Sequence, residues 1–395
     1  MQSNTILTVL SNDEANRFME EYGDADIPTL SLKFAGKTSF HLGTTLELMA
    51  IYRKAKKKAP IISSFHLAVD KRAYEQSTSE QVAKHKATFI SGNQLLDITA
   101  GIGIDSIFLA SNFKNIVAIE QNKNLHEWAC YNLKKLGITN ISRIHGNALD
   151  YISTKKVDWI YIDPDRRSHH RRSITLEYME PNVLEIMPLL KTVTDKIYLK
   201  LSPLFDIAEI IRNFKNVEAI HLISEKNEMK EVGVILNWSH HTDPHIFLKD
   251  VGGSFMSDFP FEIYLNQKKY TDYYGYGDFI HVPLATVSKS SCYHFFTQSQ
   301  KILKHTIYPL FFSNQSYLDG FKTYKIIEQW GYSVKKVKEF LTSNDYQKLN
   351  IILKGTSEIP IKYHKKLGTT DGGDVYLFIL KLRKKSEMIL SRLIS

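Results

Sequence analysis

The sequence has few of the features that identify secreted or membrane proteins. Only two of its 395 residues are cysteines, and Cys130 and Cys292 lie far apart without CxxC or metal-site spacing. This usage fits a reduced compartment, and we expect a cytoplasmic protein. The N-terminus has no basic region followed by a long apolar run, and no window approaches about 18 uncharged apolar residues. We therefore expect neither secretion nor insertion into a membrane.

Several catalytic and metal-binding patterns are also missing. The chain contains no G-x-S-x-G, Walker A, H-E-x-x-H or EF-hand pattern. His169 and His170 have no nearby cysteine or regularly spaced third ligand, and the denser run from His240 to His245 is more typical of a polar loop. The sequence therefore predicts no metal site.

The composition is that of a folded protein with an excess of positive charge. Hydrophobic residues make up 43% and charged residues 24%, and 21 Phe with 21 Tyr argue against extensive disorder. The net charge of +9 favours an anionic partner such as nucleic acid, because clustered Lys and Arg bind phosphates. On charge alone, a basic solvated surface explains the balance equally well.

The chain is long enough for several domains, and its patterns change along it. Residues 1–72 alternate helical patterns with basic loops and predict a helical N-terminal domain. Residues 73–240 alternate short apolar runs with longer helical patterns, which is typical of a parallel sheet with helices on its faces. The strand-like runs are QLLDITA, IVAIEQ, ISRIHGN, DWIYIDP and KIYLKLSP, followed by VEAIHLI and VGVILNW as a hairpin. Residues 241–320 and 321–395 predict two small α+β domains, the first of them ferredoxin-like.

A glycine turn follows the first of these strands. In LLDITAGIGIDS, Asp97 lies near the strand end, and Gly101 and Gly103 lead into a helix. Glycines allow a sharp turn and a close approach of the backbone to a ligand at the sheet edge. The next strand ends in Glu120, where an acidic side chain accepts hydrogen bonds from ribose hydroxyls. These features are shared by dinucleotide dehydrogenases and S-adenosylmethionine enzymes.

Three details favour S-adenosylmethionine. Ser106 occupies the place of the third glycine of a pyrophosphate turn. Asp97 would repel a pyrophosphate, whereas a carboxylate here would meet a cationic ligand or orient the turn. The fourth strand ends in Asp163 and Pro164, and further acids suit a cofactor that carries an ammonium and a sulfonium.

The strand ends DITAGIG, AIEQN, GNALD and IDPDRR, taken in this order, resemble class I S-adenosylmethionine-dependent methyltransferases. The resemblance implies an α/β fold with a Rossmann-like sheet, a helical N-terminal domain and small α+β C-terminal domains. It places the methionine part of the cofactor on the glycine turn, the ribose at Glu120 and the adenine at Asn147. An ordinary α/β turn with structural Gly and Asp is the alternative. The implied cofactor-binding residues are Asp97, Thr99, Ala100, Gly101, Gly103, Glu120, Gln121, Asn147, Ala148 and Asp163.

The IDPDRR stretch is similar to the D/N/S-P-P-Y/F/W motif of methyltransferases that modify amino groups in nucleic acid. The resemblance implies a catalytic group of Asp163, Pro164 and Asp165, in which Asp163 and the Pro164 carbonyl accept hydrogen bonds from an exocyclic amine. Asp165 replaces the second proline and Arg166 replaces the stacking aromatic, although an arginine plane also stacks on bases. A turn or helix-capping role is the alternative for Asp163.

A basic run leaves this motif at the edge of the sheet where a substrate must approach. We predict that its arginines bind substrate phosphates, because arginine grips phosphate bidentately. The alternative is a solvated loop with one arginine paired to Asp165 or Glu177. The predicted substrate-binding residues are Arg166, Arg167, Arg171 and Arg172.

The whole chain is also similar to bacterial, largely uncharacterised methyltransferase-like proteins with a C-terminal THUMP-like domain. The similarity rests on EQSTSEQVAKHKATFI, DPxRR, KLSPLFD, SEKNEMKEVGVIL and the closing LGTTDGGDVYLFIL. It implies a THUMP-like domain at 321–395 and an RNA substrate, and so an RNA methyltransferase that forms an N-methylated base. The alternatives are a methyltransferase of a small molecule or protein, and a non-catalytic RNA-binding protein with a vestigial cofactor pocket. The sequence makes no prediction of oligomeric state.

Overall fold

The computed structural model describes residues 2–152, 156–166, 175–239, 243–266, 277–297, 302–305, 307–381 and 386–394. Contacts between residues divide the chain into two compact units, Met1–Ser254 and Phe255–Ser395. The division into four domains drawn from the sequence stays a prediction.

The first unit contains twelve α-helices and ten strands among its described residues. Its helices are α1 (Gln2–Leu10), α2 (Asp13–Glu21), α3 (Ile27–Phe34), α4 (Leu42–Lys58), α5 (Pro60–Ser64), α6 (Lys71–Gln76), α7 (Glu80–Lys86), α8 (Ile104–Leu109), α9 (Lys123–Leu136), α10 (Ala148–Tyr151), α11 (Val183–Leu190) and α12 (Ile207–Asn213). Its strands are β1 (Gly92–Asp97), β2 (Phe113–Glu120), β3 (Ile141–His145), β4 (Trp159–Ile162), β5 (Asp165–Arg166), β6 (Met179–Glu180), β7 (Lys196–Leu201), β8 (Val217–Glu225), β9 (Glu228–Asn237) and β10 (His245–Val251).

Eight of these strands form one sheet in the order β10-β8-β9-β7-β4-β1-β2-β3. Strands β3, β2, β1, β4 and β7 are parallel neighbours, as the alternation of strand and helix patterns predicts. The chain passes from β1 towards β3 and then crosses to β4, so the sheet changes direction between β1 and β4. Ligands of open α/β sheets bind in the crevice at such a point. The α/β fold of class I methyltransferases is confirmed.

The predicted hairpin is also present. Strands β8 and β9 pair antiparallel, and the two residues that join them, Lys226 and Asn227, have φ values of 54° and 60°. Two left-handed residues are typical of a type I′ turn, whose twist matches that of the strands. Strand β9 lies antiparallel between β8 and β7, so the sheet is not an all-parallel dinucleotide-binding sheet.

The helices that precede β1 share a hydrophobic core with the sheet. Buried side chains of α4, among them Leu48 and Met49, belong to the same cluster as Leu95 of β1 and Trp128 of α9. Helix α7 begins after Ser79, whose Oγ accepts a hydrogen bond from the N–H group of Val82. Ser79 is therefore the N-terminal cap of this helix.

Gly233 of β9 leaves space for the ring of Tyr198. A Cβ atom at position 233 would lie 2.0 Å from the Tyr198 hydroxyl and 2.6 Å from Cζ of the same ring, which is fully buried. Because a buried ring has no room to move away, we expect Gly233→Ala to lower the free energy of unfolding by about 1–3 kcal/mol. Urea unfolding measures this. Gly43→Ala is the matched control: a Cβ there meets nothing closer than 3.6 Å, so an equal loss in both variants would contradict the explanation.

The second unit is built around a mixed sheet of seven strands, in the order β13-β14-β12-β15-β18-β17-β16. Strand β15 begins where the sequence predicts the last domain. The sequence predicts DVYLFIL as the last strand, and this run forms β17. A further strand, β18, follows it and was not predicted. The elements of this unit are β11 (Met256–Pro260), α13 (Phe261–Leu265), β12 (Phe279–Pro283), α14 (Ala285–Ser290), α15 (Tyr293–Thr297), β13 (Leu303–Lys304), β14 (Phe311–Ser313), β15 (Phe321–Gly331), α16 (Val334–Ser343), β16 (Asn350–Lys354), α17 (Pro360–Leu367), β17 (Val375–Leu380) and β18 (Glu387–Leu393).

Candidate functional site

A cavity of about 1320 Å³ lies at the carboxyl ends of the parallel strands in the first unit. It is at the crevice where the direction of the sheet changes, because β1 and β4 end in its wall. The cofactor-binding and catalytic residues predicted from the sequence are brought together here, and their roles stay predictions. The cavity is lined by Asp97, Thr99, Ala100, Gly101, Gly103, Glu120, Gln121, Asn147, Ala148, Asp163, Pro164 and Asp165, among others.

The glycine turn joins β1 to α8. Gly101 and Gly103 have φ values of 52° and 86°, in the left-handed region that favours glycine. Gly103 is the residue that precedes the first turn of α8. The turn therefore presents backbone, without side chains at these two positions, to the cavity.

The Asp97 side chain stabilises this turn through hydrogen bonds. Its carboxylate accepts hydrogen bonds from the Thr99 N–H group at 3.1 Å and from the Ser106 hydroxyl at 2.5 Å. Burial raises the pKa of Asp97 to about 6, against the lowering effect of these bonds. Ser106, at the place of a third glycine, thus orients the acid of the turn. The sequence leaves two roles open for Asp97: contact with a cationic ligand or orientation of the turn. Its hydrogen bonds to Thr99 and Ser106 are of the second kind.

The acid at the end of β2 is bound to the same turn. Glu120 accepts hydrogen bonds from the Gly101 N–H group at 2.8 Å and from the Asn122 N–H group at 2.7 Å. Asn147, at the end of β3, caps α10 by accepting from the Leu149 N–H group. Successive strand ends therefore place an acid and an amide on the cavity wall, in the order that the sequence predicts.

Arg143 was missed from the sequence. Its Nη2 donates to the Gly101 carbonyl at 2.7 Å, while Nε and Nη1 are buried without a hydrogen-bond partner. Burial lowers the pKa of Arg143, and Asp97 and Glu120 act in the opposite direction. An arginine inside the short strand ISRIH was the available signal, since a charge there needs a partner.

Asp163 is anchored on both its backbone and its side chain. Its N–H group donates to Thr99 Oγ1 at 2.6 Å, and its Oδ2 lies 2.5 Å from Nζ of Lys200. Ile162 of β4 pairs with Leu199 of β7, so Asp163 and Lys200 are the next residues along two adjacent parallel strands. Lys200 lines the same cavity and was not among the predicted site residues.

Lys200 belongs to a group of ionisable residues, all buried or nearly so except the partly exposed Asp163, that we call the charge cluster: Lys86, Asp105, Tyr161, Asp163, Tyr198, Lys200 and Glu231. Lys86 is fully buried and lies 2.7 Å from Asp105 and 3.0 Å from Glu231. It also donates to the Tyr161 hydroxyl at 2.9 Å. Because three carboxylates face two ammonium groups, the cluster carries a net charge of −1 when all five groups are ionised.

The electrostatics of the cluster favour the charged forms of Asp105 and Lys200. Burial alone would raise the pKa of Asp105, but Lys86 and Lys200 outweigh it and hold this pKa below its ordinary value. Burial alone would lower the pKa of Lys200, but Asp163, Asp105 and Glu231 raise it above its ordinary value. The two tyrosines have raised pKa values, chiefly because they are buried, and stay neutral.

Asp165 and Arg166 form the short strand β5, which pairs antiparallel with β6. The Asp165 side chain is 67% exposed and lies 3.8 Å from Arg72. A substrate-binding role for Arg166 stays a prediction, while Arg167, Arg171 and Arg172 lie outside the described residues.

The described lining of the cavity is strongly acidic. It includes nine aspartates and glutamates but only three basic residues, Arg72, Lys200 and Lys230. Such a wall favours a cationic ligand and disfavours a pyrophosphate, because like charges repel in a partly desolvated cleft.

The described residues show neither a metal-binding cluster nor a membrane-spanning helix. Among them, no group of three or more His, Cys, Asp or Glu side chains is arranged to hold a metal ion. None of the helices in the described ranges is both long and apolar enough to cross a membrane.

Comparison with known proteins identifies one part of the chain directly. Residues 321–392 match the protein family described as THUMP domain-like. The THUMP-like domain expected from the sequence is therefore confirmed over these residues, which run from β15 into β18.

Two similar proteins relate to the rest of the chain. An uncharacterized RNA methyltransferase of Mycoplasma mobile is 29% identical over 106 residues, which cover 26% of this chain and 26% of that protein. The match thus spans about a quarter of the relative's length. A crystal structure of a Porphyromonas gingivalis W83 protein, provisionally named a methyltransferase, superposes with a TM-score of 0.81 at 20% identity. It covers 97% of this chain and 98% of that one, and this likeness shows a shared fold.

Proposed function

We propose that this protein is an S-adenosylmethionine-dependent methyltransferase that N-methylates a base in RNA. The observation that carries the proposal is the acidic cavity at the crevice between β1 and β4, with a glycine turn on one side and Asp163 on the other. A dinucleotide would bring a pyrophosphate to this wall, whereas S-adenosylmethionine brings an ammonium and a sulfonium.

The residues of the cavity fit such a cofactor. Gly101 and Gly103 would lie against its methionine part, Glu120 would accept hydrogen bonds from the ribose, and Asn147 would contact the adenine. The bound cofactor would supply a methyl group on a positively charged sulfur. An acceptor nitrogen would bond the methyl carbon with its lone pair, and the bond from this carbon to sulfur would break to leave a neutral thioether. The Gly101 N–H group already bonds Glu120, so the acid and the turn would hold the cofactor as one rigid unit.

Asp163 and Pro164 would orient the acceptor. A carboxylate that accepts a hydrogen bond from an exocyclic amine aligns the nitrogen lone pair with the methyl group, and positioning supplies much of the rate of such a transfer. The proton that the methylated nitrogen loses would pass to solvent, because Asp163 is paired to Lys200.

Three features support RNA as the substrate. The chain carries a net charge of +9, and four arginines follow the Asp-Pro motif. Its C-terminal residues match the THUMP domain-like family, and THUMP domains bind tRNA in other enzymes. One similar protein is named an RNA methyltransferase. The cytoplasmic location expected from the sequence stays a prediction.

Transfer of radiolabelled methyl groups tests this function. Purified protein is incubated with labelled S-adenosylmethionine and total RNA from a strain that lacks the gene, because RNA from such a strain is unmethylated at the target. We expect label in RNA that digests to an N-methylated nucleoside, and transfer at a rate at least about 100-fold lower with an identically purified Asp163→Ala preparation. Calorimetry with S-adenosylhomocysteine is run in parallel.

The outcomes separate the alternatives. Binding of S-adenosylhomocysteine without label in any RNA pool would favour a small-molecule or protein substrate. RNA binding without measurable affinity for S-adenosylhomocysteine would favour a non-catalytic protein. RNA binding that depends on salt concentration would distinguish phosphate contacts from other modes.

A further inference from the structure

Lys200 occupies a place in the cavity that no motif explains. Its side chain is 14% exposed, and its Nζ lies 2.5 Å from Asp163, 3.0 Å from the Thr78 hydroxyl and 3.7 Å from Asp105. An ammonium has three donors, and here it has three oxygen neighbours.

The rest of the charge cluster prevents Lys200 from turning away. Asp105 accepts a hydrogen bond from Thr78 at 2.7 Å and is paired with Lys86. Lys86 is in turn held by Glu231, which accepts from the Tyr198 hydroxyl at 2.8 Å. Asp105, Lys86 and Glu231 thus each contact at least two other residues. This network holds Lys200 in place before any ligand binds.

Asp163 has two carboxylate oxygens, and Lys200 takes one of them. The pair fixes Oδ2, and none of the described residues donates a hydrogen bond to Oδ1. The backbone of Asp163 is fixed separately, because its N–H group donates to Thr99 Oγ1. One oxygen of a rigidly held carboxylate is therefore left for a ligand.

We propose that Lys200 is the positioning residue of Asp163, and that the pair selects a neutral nitrogen that carries an N–H group as the methyl acceptor. The proposal rests on the proposed function, which it deepens. Lys200 holds Oδ2 so that Oδ1 accepts the N–H hydrogen bond of the acceptor. Because Lys200 holds one carboxylate oxygen, Asp163 orients the acceptor N–H group through the other.

The pairing of Asp163 with Lys200 supports the choice of a neutral acceptor. An aromatic amine of a base adds no charge, whereas a protonated alkylamine would bring a second ammonium to the one carboxylate that Lys200 already occupies. The acceptor class is thus a nucleobase amine rather than a lysine or polyamine.

A double-mutant cycle tests the positioning role. The rate of methyl transfer to total RNA from a strain that lacks the gene is measured for wild type, Lys200→Met, Asp163→Ala and the double variant. We expect Lys200→Met to lower kcat about 10²-fold, with affinity for S-adenosylhomocysteine changed less than about threefold. In the Asp163→Ala background the same change should cost no more than about threefold. Lys200→Arg should restore part of kcat.

Two results would overturn the proposal. The first is a loss from Lys200→Met that is equally large with and without Asp163, since a merely structural role predicts additivity. The second is a parallel fall in kcat and in affinity for S-adenosylhomocysteine. Lys196→Met is the control, because Lys196 lies on the same strand but over the ring of Trp159, and we expect its kcat to be unchanged. Transfer to polylysine or spermidine at a rate above that to RNA would contradict the acceptor class.

A measurement without substrate keeps the test independent of the proposed function. The ¹³Cε signal of Lys200 is titrated in wild type and Asp163→Ala, with Lys200→Arg to assign it. The groups around Lys200 are Lys58, Thr78, Lys86, Asp105, Tyr161, Tyr198, Lys230 and Glu231, besides Asp163. We expect Lys200 to titrate at lower pH in Asp163→Ala; an unchanged titration would sink the pairing. If wild type methylates no RNA, the proposed function fails while this titration still decides whether Lys200 holds Asp163.

Discussion

Lys86→Met will lower the free energy of unfolding by about 3–5 kcal/mol, the largest loss of stability that we expect from a single substitution in this protein. Lys86 has no exposed surface, and its ammonium is paired with Asp105 at 2.7 Å and Glu231 at 3.0 Å. Methionine fills a similar volume but removes this charge, so two buried carboxylates face each other with only Lys200 left. The charge cluster then carries −2 instead of −1.

Urea unfolding followed by tryptophan fluorescence measures this loss, because Trp128, Trp159 and Trp238 all belong to the first unit. Lys84→Met is the matched control on the same helix. Lys84 is 54% exposed and pairs with Glu80 four residues earlier, so its loss should cost about 0.5 kcal/mol or less. Adding Glu231→Gln to Lys86→Met should recover part of the stability by removing one unpaired charge. Equal losses at positions 84 and 86 would show that the buried pairing contributes nothing.

Much of the site could be predicted because parallel strands bring their carboxyl ends to one edge of a sheet. Asp97, Glu120, Asn147 and Asp163 follow four successive strands, and the sequence alone places them at one cavity. The glycine turn could be predicted for the same reason, since Gly101 and Gly103 take backbone angles that other residues adopt with strain. Both predictions depend only on local patterns and on the rule that ligands bind where the sheet changes direction.

The charge cluster could not be predicted in this way because its members come from distant stretches. Lys86, Asp105, Lys200 and Glu231 meet only after the sheet has formed. Lys86 did leave a signal, since it lies three and four residues after Ala83 and Val82, which form the buried face of α7. A lysine in an apolar stripe needs a buried acid. Which acid it finds depends on strand order, and that order is not visible in a single helix.

The substrate side was less predictable still. That the third and fourth residues of the motif, Asp165 and Arg166, form a strand is seen only once β5 pairs with β6. This pairing joins the Asp-Pro motif to a segment some fourteen residues further along the chain, which no local pattern indicates. The first three residues of the motif therefore line the cavity, and the third and fourth also form a strand.

Asp163→Ala will lower kcat for methyl transfer to RNA by about 10²- to 10⁴-fold. The Asp163 carboxylate is the group that we assign to the acceptor nitrogen, and no other carboxylate in the charge cluster is as accessible: its side chain is 38% exposed, whereas that of Asp105 is 11% and that of Glu231 is 2%. Affinity for S-adenosylhomocysteine should change less than about threefold, because the glycine turn and Glu120 are untouched. Radiolabel transfer and calorimetry measure the two quantities.

The net charge of the cluster also predicts that Asp163, unlike Lys86, contributes little to the free energy of unfolding. Removing Asp163 brings the cluster from −1 to neutral, since Lys86 and Lys200 then face Asp105 and Glu231 in equal number. We therefore expect urea unfolding of Asp163→Ala to stay within about 1 kcal/mol of wild type, as for an exposed site. Asp24→Ala, at an aspartate that is 93% exposed, should match it in stability and retain full transfer. A variant at Asp163 that unfolds readily, or that still methylates RNA within about threefold of wild type, would place the acceptor elsewhere.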